Sequence, residues 1–217
     1  VLWTSPEILA GLVALSVVGL LWSIKAESAL WHAIFKSAAS TFFLAVALAS
    51  SALDSRYGTL IFSGLVLSWF GDVLLIPKGA GAAFKAGALS FLAGHVAYAT
   101  AFVTLGLDTT SLLVAVIVVA VFGLTLLPRI RAGVPQSLSA VVLSYMVVIS
   151  LMLILAAGAA AATSTPVIFV GALLFYLSDL AVARERFFSN EFINKLVGLP
   201  TYYLAQVVLA LSCAHFV

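Results

Sequence analysis

The sequence predicts an all-α fold: a polytopic membrane bundle of eight transmembrane helices, forming a single transmembrane domain over residues 1–217. Three observations carry this. Of the 217 residues, 64% are apolar and only 8% are charged, against roughly 45–50% and about 25% in soluble domains. Eight spans of about 20 residues each use roughly 160 residues, which leaves no room for a soluble domain. The basic residues also divide by side. An eight-helix chain puts Lys25, Lys36, Lys78, Lys85, Arg129, Arg131, Arg184, Arg186 and Lys195 at one end of the bundle and Arg56 alone at the other. Adding or removing a helix in the middle scrambles that split, so the positive-inside rule supports the count and puts both termini outside the cytoplasm.

The spans run roughly over 6–24, 36–53, 57–76, 85–106, 110–127, 137–158, 164–183 and 196–216. None shows the ten-residue length and strict alternation of a barrel strand. The first has no basic residue before it, carries Glu7 near its start and is long enough to span, so it reads as a retained helix rather than a cleaved signal. The second opens at Lys36, where a lysine ordinarily snorkels and could also reach a lipid headgroup. His32 then falls in the loop before it. The third carries Phe62-Ser-Gly-Leu-Val-Leu-Ser-Trp-Phe-Gly-Asp72, and the fourth carries Phe91-Leu-Ala-Gly-His95-Val-Ala-Tyr98. The fifth and sixth carry no charged residue. The seventh carries Leu173-Leu-Phe-Tyr-Leu-Ser-Asp179, and the eighth Tyr202, Tyr203 and Gln206. Phe62, Gly64 and Asp72 recur as Phe169, Gly171 and Asp179 at one offset of 107 residues. Helices three and seven run the same way across the membrane, so the echo suggests two parallel four-helix repeats.

Two charges are out of place. Asp72 and Asp179 each lie about four or five residues inside the basic end of their predicted helices, roughly 6–8 Å deep at 1.5 Å per residue. Aspartate cannot snorkel far, and intramembrane carboxylates are functional candidates by default. Two of them sharing a poorly solvated site cannot comfortably both ionise. One is then an acid and the other a base, the division that general acid–base hydrolysis requires. The structural alternative is two acids, each satisfied by a nearby polar group, that hold helices together. His95 and Tyr98 share a helix face, as do Tyr202 and Gln206. With Ser68, one turn before Asp72, they are expected to line a polar pocket open to the cytoplasmic leaflet. Lys36 is the candidate headgroup contact.

Other chemistries fit less well. The scattered basic residues carry no nucleic-acid signature. One cysteine, Cys213, allows no internal disulfide and no multi-cysteine metal site. His32, His95 and His215 fall at different depths, so no metal site is expected. There is no Gly-x-Ser-x-Gly elbow for a serine nucleophile. Every lysine lies near a helix end, unlike the deep lysine of a retinal protein. The main rival is a small proton-coupled transporter or lipid-binding membrane protein using the same aspartates. The polar cluster in one half and the apolar other half favour an enzyme or a lipid binder.

Gly71-Asp72, Phe91-x-x-Gly94-His95-x-x-Tyr98, Ser178-Asp179 and Tyr202-Tyr203-x-x-Gln206 together resemble the YhhN family of membrane proteins, which includes the lysoplasmalogenases. The resemblance covers essentially the whole chain. One departure is Lys36-Ser37, where family members often have Lys-Pro. The resemblance implies hydrolysis of the vinyl ether bond of a lysophospholipid, a lysoplasmalogen, with Asp72 and Asp179 as the acidic pair and no cofactor. It also implies an integral protein of a membrane such as the bacterial inner membrane, with membrane lipid as its partner.

Overall fold

The computed structural model describes residues 5–77, 81–189 and 191–217. The chain forms eight α-helices: α1 (Pro6–Lys25), α2 (Ala29–Ala49), α3 (Arg56–Leu74), α4 (Ala82–Val103), α5 (Thr109–Gly133), α6 (Gln136–Thr163), α7 (Pro166–Phe187) and α8 (Phe192–Ser212). A 3-10 turn, Cys213–Phe216, follows α8. All eight are long and apolar enough to cross a membrane. The protein is a polytopic integral membrane protein.

Short polar signals set the helix starts. The hydroxyls of Ser5, Ser28 and Ser55 accept the backbone N–H of Ile8, Trp31 and Gly58, respectively. They satisfy donors that a first helical turn otherwise leaves open. Pro6 and Pro166 sit in the first turns of α1 and α7, where a missing N–H costs nothing. The Ser28 cap starts α2 seven residues earlier than the sequence suggested. Lys36 therefore stands two turns inside the helix, and His32 is helical rather than in a loop. The later helices also overrun their expected ends. α5 passes through Pro128 to Gly133, α6 reaches Thr163 through an alanine-rich stretch, and α7 extends to Phe187.

Because the connections are short, successive spans reverse direction. The α1–α2, α3–α4, α5–α6 and α7–α8 connections therefore share one end, here called the basic end. Lys25, Lys85, Arg184, Arg186 and Lys195 lie towards it. Lys78 lies outside the described residues.

The most extensive neighbours are α1 with α2, α3 with α4, and α7 with α8. Contacts of α2 with α3, α4 with α6, α6 with α7, and α8 with α2 close a ring. α1 also leans on α8, whereas α5 packs mainly on α6 and none of its described residues is buried. Phe43, Tyr98, Phe102, Phe175 and Tyr203 fill the interior. Leu15, Val18, Leu113, Val147 and others cover the outside. In a bilayer that apolar exterior is solvated by acyl chains.

Two glycines let α3 and α4 meet closely enough to shape the interior. A Cβ on Gly64 would overlap the Tyr98 ring, and a Cβ on Gly94 would come within 3.1 Å of the Gly64 carbonyl oxygen. Small residues at such crossings are the usual route to tight packing in membranes. Here they also seat Tyr98 towards α8.

Candidate active site

Asp72 is in the last turn of α3, 3% exposed. In an apolar interior a carboxylate needs donors to replace water. Asp72 has three. The Ser40 hydroxyl of α2 donates to Oδ2 at 2.5 Å, and the Tyr202 hydroxyl of α8 donates to the same oxygen at 2.8 Å. Lys36 Nζ stands 3.5 Å from Oδ1. Lys36 is itself buried, 8% exposed. It does not snorkel, because its place inside α2 aims it at α3.

A one-way chain of hydrogen bonds ends on this carboxylate. The Tyr98 hydroxyl donates to Gln206 Oε1 at 2.8 Å, and Gln206 Nε2 donates to the Tyr202 oxygen at 3.0 Å. Tyr202 donates onward to Asp72. Ser68 Oγ lies 3.4 Å from the Tyr98 oxygen. The Tyr98 proton is already committed to Gln206, so Ser68 is the donor there. Every link points towards Asp72. That arrangement suits an acceptor-only carboxylate, and the Lys36 side chain is the cation nearest to it.

Asp179 has a different setting. It lies in α7, with its side chain 12% exposed. His95 of α4 places Nε2 3.1 Å from Asp179 Oδ2. The Tyr145 hydroxyl of α6 donates to the same oxygen at 3.4 Å. The opposite ring nitrogen, Nδ1, lies 2.7 Å from the Phe91 carbonyl oxygen. A carbonyl only accepts, so Nδ1 carries a hydrogen. Nε2 is buried and makes no hydrogen bond, although Asp179 Oδ2 lies 3.1 Å away. A bare imidazole lone pair facing a carboxylate would be repulsive. A proton on either atom would turn the approach into an attraction.

The two carboxylates share no hydrogen-bond partner among the described residues. One aromatic ring joins their surroundings: Phe175 packs against His95 at 4.4 Å between centroids and against Tyr202 at 5.4 Å. Counting from the helix ends also separates them. Asp72 is two residues before the last residue of α3, and Asp179 is eight before that of α7, so equal distance from the helix ends does not hold.

Of the residues singled out in the sequence, Lys36, Ser68, Asp72, Tyr98, Tyr202 and Gln206 come together in one buried network, and His95 joins Asp179. Sequence reasoning missed Ser40 and Tyr145. Ser40 had a usable signal, since it lies one turn after Lys36 on the same face. Tyr145 had none, because nothing in its own helix points to Asp179 or His95. No group of three His, Cys, Asp or Glu side chains that could hold a metal ion occurs among the described residues. His32 lies on α2 and His215 in the terminal 3-10 turn.

The YhhN family profile matches residues 31–213. The chain belongs to the YhhN family. Every residue of the two acid clusters falls inside the matched span. Among YhhN-like relatives, the lysoplasmalogenase TMEM86A of Bos taurus is 30% identical over 165 residues, 72% of this chain and 66% of that protein. The Homo sapiens lysoplasmalogenase TMEM86A is 31% identical over the same shares. The Sus scrofa lysoplasmalogenase TMEM86B is 30% identical over 216 residues, 98% of this chain and 87% of that protein. The chain thus spans just under two thirds of the length of the two TMEM86A proteins. No solved structure matches.

Proposed function

We propose that this protein is a membrane hydrolase that cleaves the vinyl ether bond of lysoplasmalogens, releasing a fatty aldehyde and glycerophospho-ethanolamine or -choline. The observation that carries the reading is the His95–Asp179 contact, a partly exposed carboxyl 3.1 Å from a ring nitrogen; on this reading the pair holds one proton to give. The similarity to lysoplasmalogenases supplies the substrate class.

The chemistry follows from that proton. The His95–Asp179 pair protonates the β-carbon of the vinyl ether, and the double-bond electrons form the new C–H bond. An oxocarbenium ion remains, resembling the cation of glycoside hydrolysis. Water adds to the cationic carbon and returns its proton to the pair. The resulting hemiacetal loses its glycerol oxygen as an alcohol and becomes the aldehyde. One water is consumed, and the pair ends as it began. Asp72 remains ionised against Lys36, a fixed negative charge that orients Tyr202 and, through Phe175, the His95 ring. The two aspartates are then both needed, in unequal roles.

A second part of the reading concerns the architecture. We take α1–α4 and α5–α8 as parallel repeats, with the basic end facing the cytoplasm, both termini outside, and the site reached from that leaflet. The offset of 107 that relates Asp72 to Asp179 also relates His95 to Tyr202. Each aspartate is approached by the other half's member of that second pair: Asp72 by Tyr202, Asp179 by His95. Donors from α2 and α6 complete the correspondence. Such reciprocity supports a duplication with swapped partners.

Purified protein in detergent should release aldehyde from a lysoplasmenyl lipid, with or without chelator, and none from its saturated-ether counterpart. Failure to release aldehyde from the vinyl ether would remove the reading.

A further inference from the structure

α4 and α7 make no extended backbone contact, yet their side chains bridge the gap at successive levels. Tyr98 and His95 meet Phe175, and His95 meets Asp179. Nearer the basic end, the Arg186 guanidinium lies over the Phe84 ring, 4.3 Å from its centroid. Helical spacing aligns these levels. Arg186 follows Asp179 by seven residues, two turns along one face of α7. Phe84 precedes His95 by eleven residues, three turns along one face of α4. Both pairs therefore lie on one seam, with the arginine above the acid on the side where the helices leave the membrane.

We propose that Arg186, steadied by Phe84, binds the phosphate of the lipid whose ether bond reaches His95–Asp179. The proposal rests on the reading above and names the headgroup contact within it. The dimensions agree. Seven residues of helix rise about 10.5 Å. A lysophospholipid places its phosphorus seven bonds from the vinyl β-carbon, about 9 Å when extended at roughly 1.25 Å per bond, and the arginine side chain covers the difference. The electrostatics agree as well. Glu185, the neighbouring acid on α7, is engaged by Lys195 at 3.3 Å. No carboxylate pairs with Arg186 among the described residues, and Lys85 beside Phe84 adds a second positive charge at the mouth. Guanidinium groups suit phosphate because they donate in a planar fork. Ring stacking holds the plane without using its N–H donors. Lys36, the residue the sequence offered for the headgroup, is committed to Asp72 instead.

The test measures binding, so that it does not depend on turnover. The probes are a saturated 1-alkyl lysophospholipid and the matching 1-alkylglycerol without phosphate, titrated onto the full-length protein in neutral detergent. Arg186→Gln should weaken the phospholipid by about ten-fold and leave the alkylglycerol unchanged, with Arg186→Lys in between. Phe84→Leu should weaken the phospholipid by about three-fold. Equal phospholipid affinity in wild type and Arg186→Gln overturns the proposal, as does wild-type protein that binds neither probe. A phosphate-dependent loss in Arg186→Gln, from a protein that releases no aldehyde, upholds the lipid site and sinks the hydrolase reading alone.

Discussion

Asp72 and Asp179 stand on helices of the same direction, four apart in the chain, and their surroundings are opposites. Asp72 is sealed among Lys36, Ser40 and Tyr202, each a donor. Asp179 is partly open and faces a buried imidazole nitrogen at 3.1 Å. What separates them is the partner each neighbouring helix brings. α2 presents an ammonium to Asp72, while α6 presents a phenol to Asp179. A cation fixes a carboxylate as an anion, whereas a phenol and an imidazole leave its proton exchangeable. On the proposed mechanism the same residue type is an anchor in one half and a proton carrier in the other.

The sharpest way to break this contrast is to neutralise each acid without changing its shape. Asp179→Asn removes the exchangeable proton, so aldehyde release should fall by about a thousand-fold, within the range of a lost general acid. Its thermal unfolding in detergent should stay close to wild type. Asp72→Asn should act mainly on stability. It leaves the Lys36 ammonium buried without its counter-charge, and breaking one side of such a pair costs about 3–5 kcal/mol. The double change Lys36→Met with Asp72→Asn should recover most of that loss. An Asp72→Asn protein with wild-type unfolding and a thousand-fold lower kcat would erase the distinction drawn here.

The fold and the site were legible in the sequence to different depths. Eight spans could be counted because each must be long and apolar, and because the lysines and arginines cluster at one end. Helix starts were less legible. Ser28 caps α2, but Trp31 and His32 read as a loop before a helix opening at Lys36, since aromatic and basic residues also mark the membrane interface. That error put Lys36 at a helix end, and its contact with Asp72 was lost with it. Both aspartates stood out by their depth alone. Their unequal roles did not, because protonation depends on donors from other helices. Tyr145, in an uncharged stretch of α6, looks like any lipid-facing aromatic until Asp179 is placed beside it.

His95 offers a finer test. His95→Gln keeps a polar group near Asp179 but cannot hold a proton reversibly, so kcat should drop by about a hundred-fold. Because the Nδ1 hydrogen bond to Phe91 lies within a single helix turn, the loss of stability should be smaller than for Asp72→Asn. KM for the lipid should move little, since the imidazole is fully buried behind Asp179. A large rise in KM with kcat intact would make His95 part of the lipid pocket rather than of the proton pair.

Tyr145 tests the smallest difference between the halves. Its hydroxyl reaches Asp179 at 3.4 Å, a long bond, and the ring also meets His95 at 5.5 Å between centroids. Tyr145→Phe keeps the ring and deletes the donor, so kcat should change by about five-fold, the size of one neutral hydrogen bond at about 1 kcal/mol. The direction is informative. A donor to Asp179 stabilises its anion and makes its proton easier to give, so removing it should slow protonation of the ether carbon. The counterpart in the other half, Ser40→Ala, deletes a donor to the carboxylate that the proposed mechanism keeps out of proton transfer. It should lower the unfolding temperature and leave kcat near wild type. If Ser40→Ala slows turnover as much as Tyr145→Phe does, the two carboxylates work as one unit, and the division between anchor and proton carrier fails.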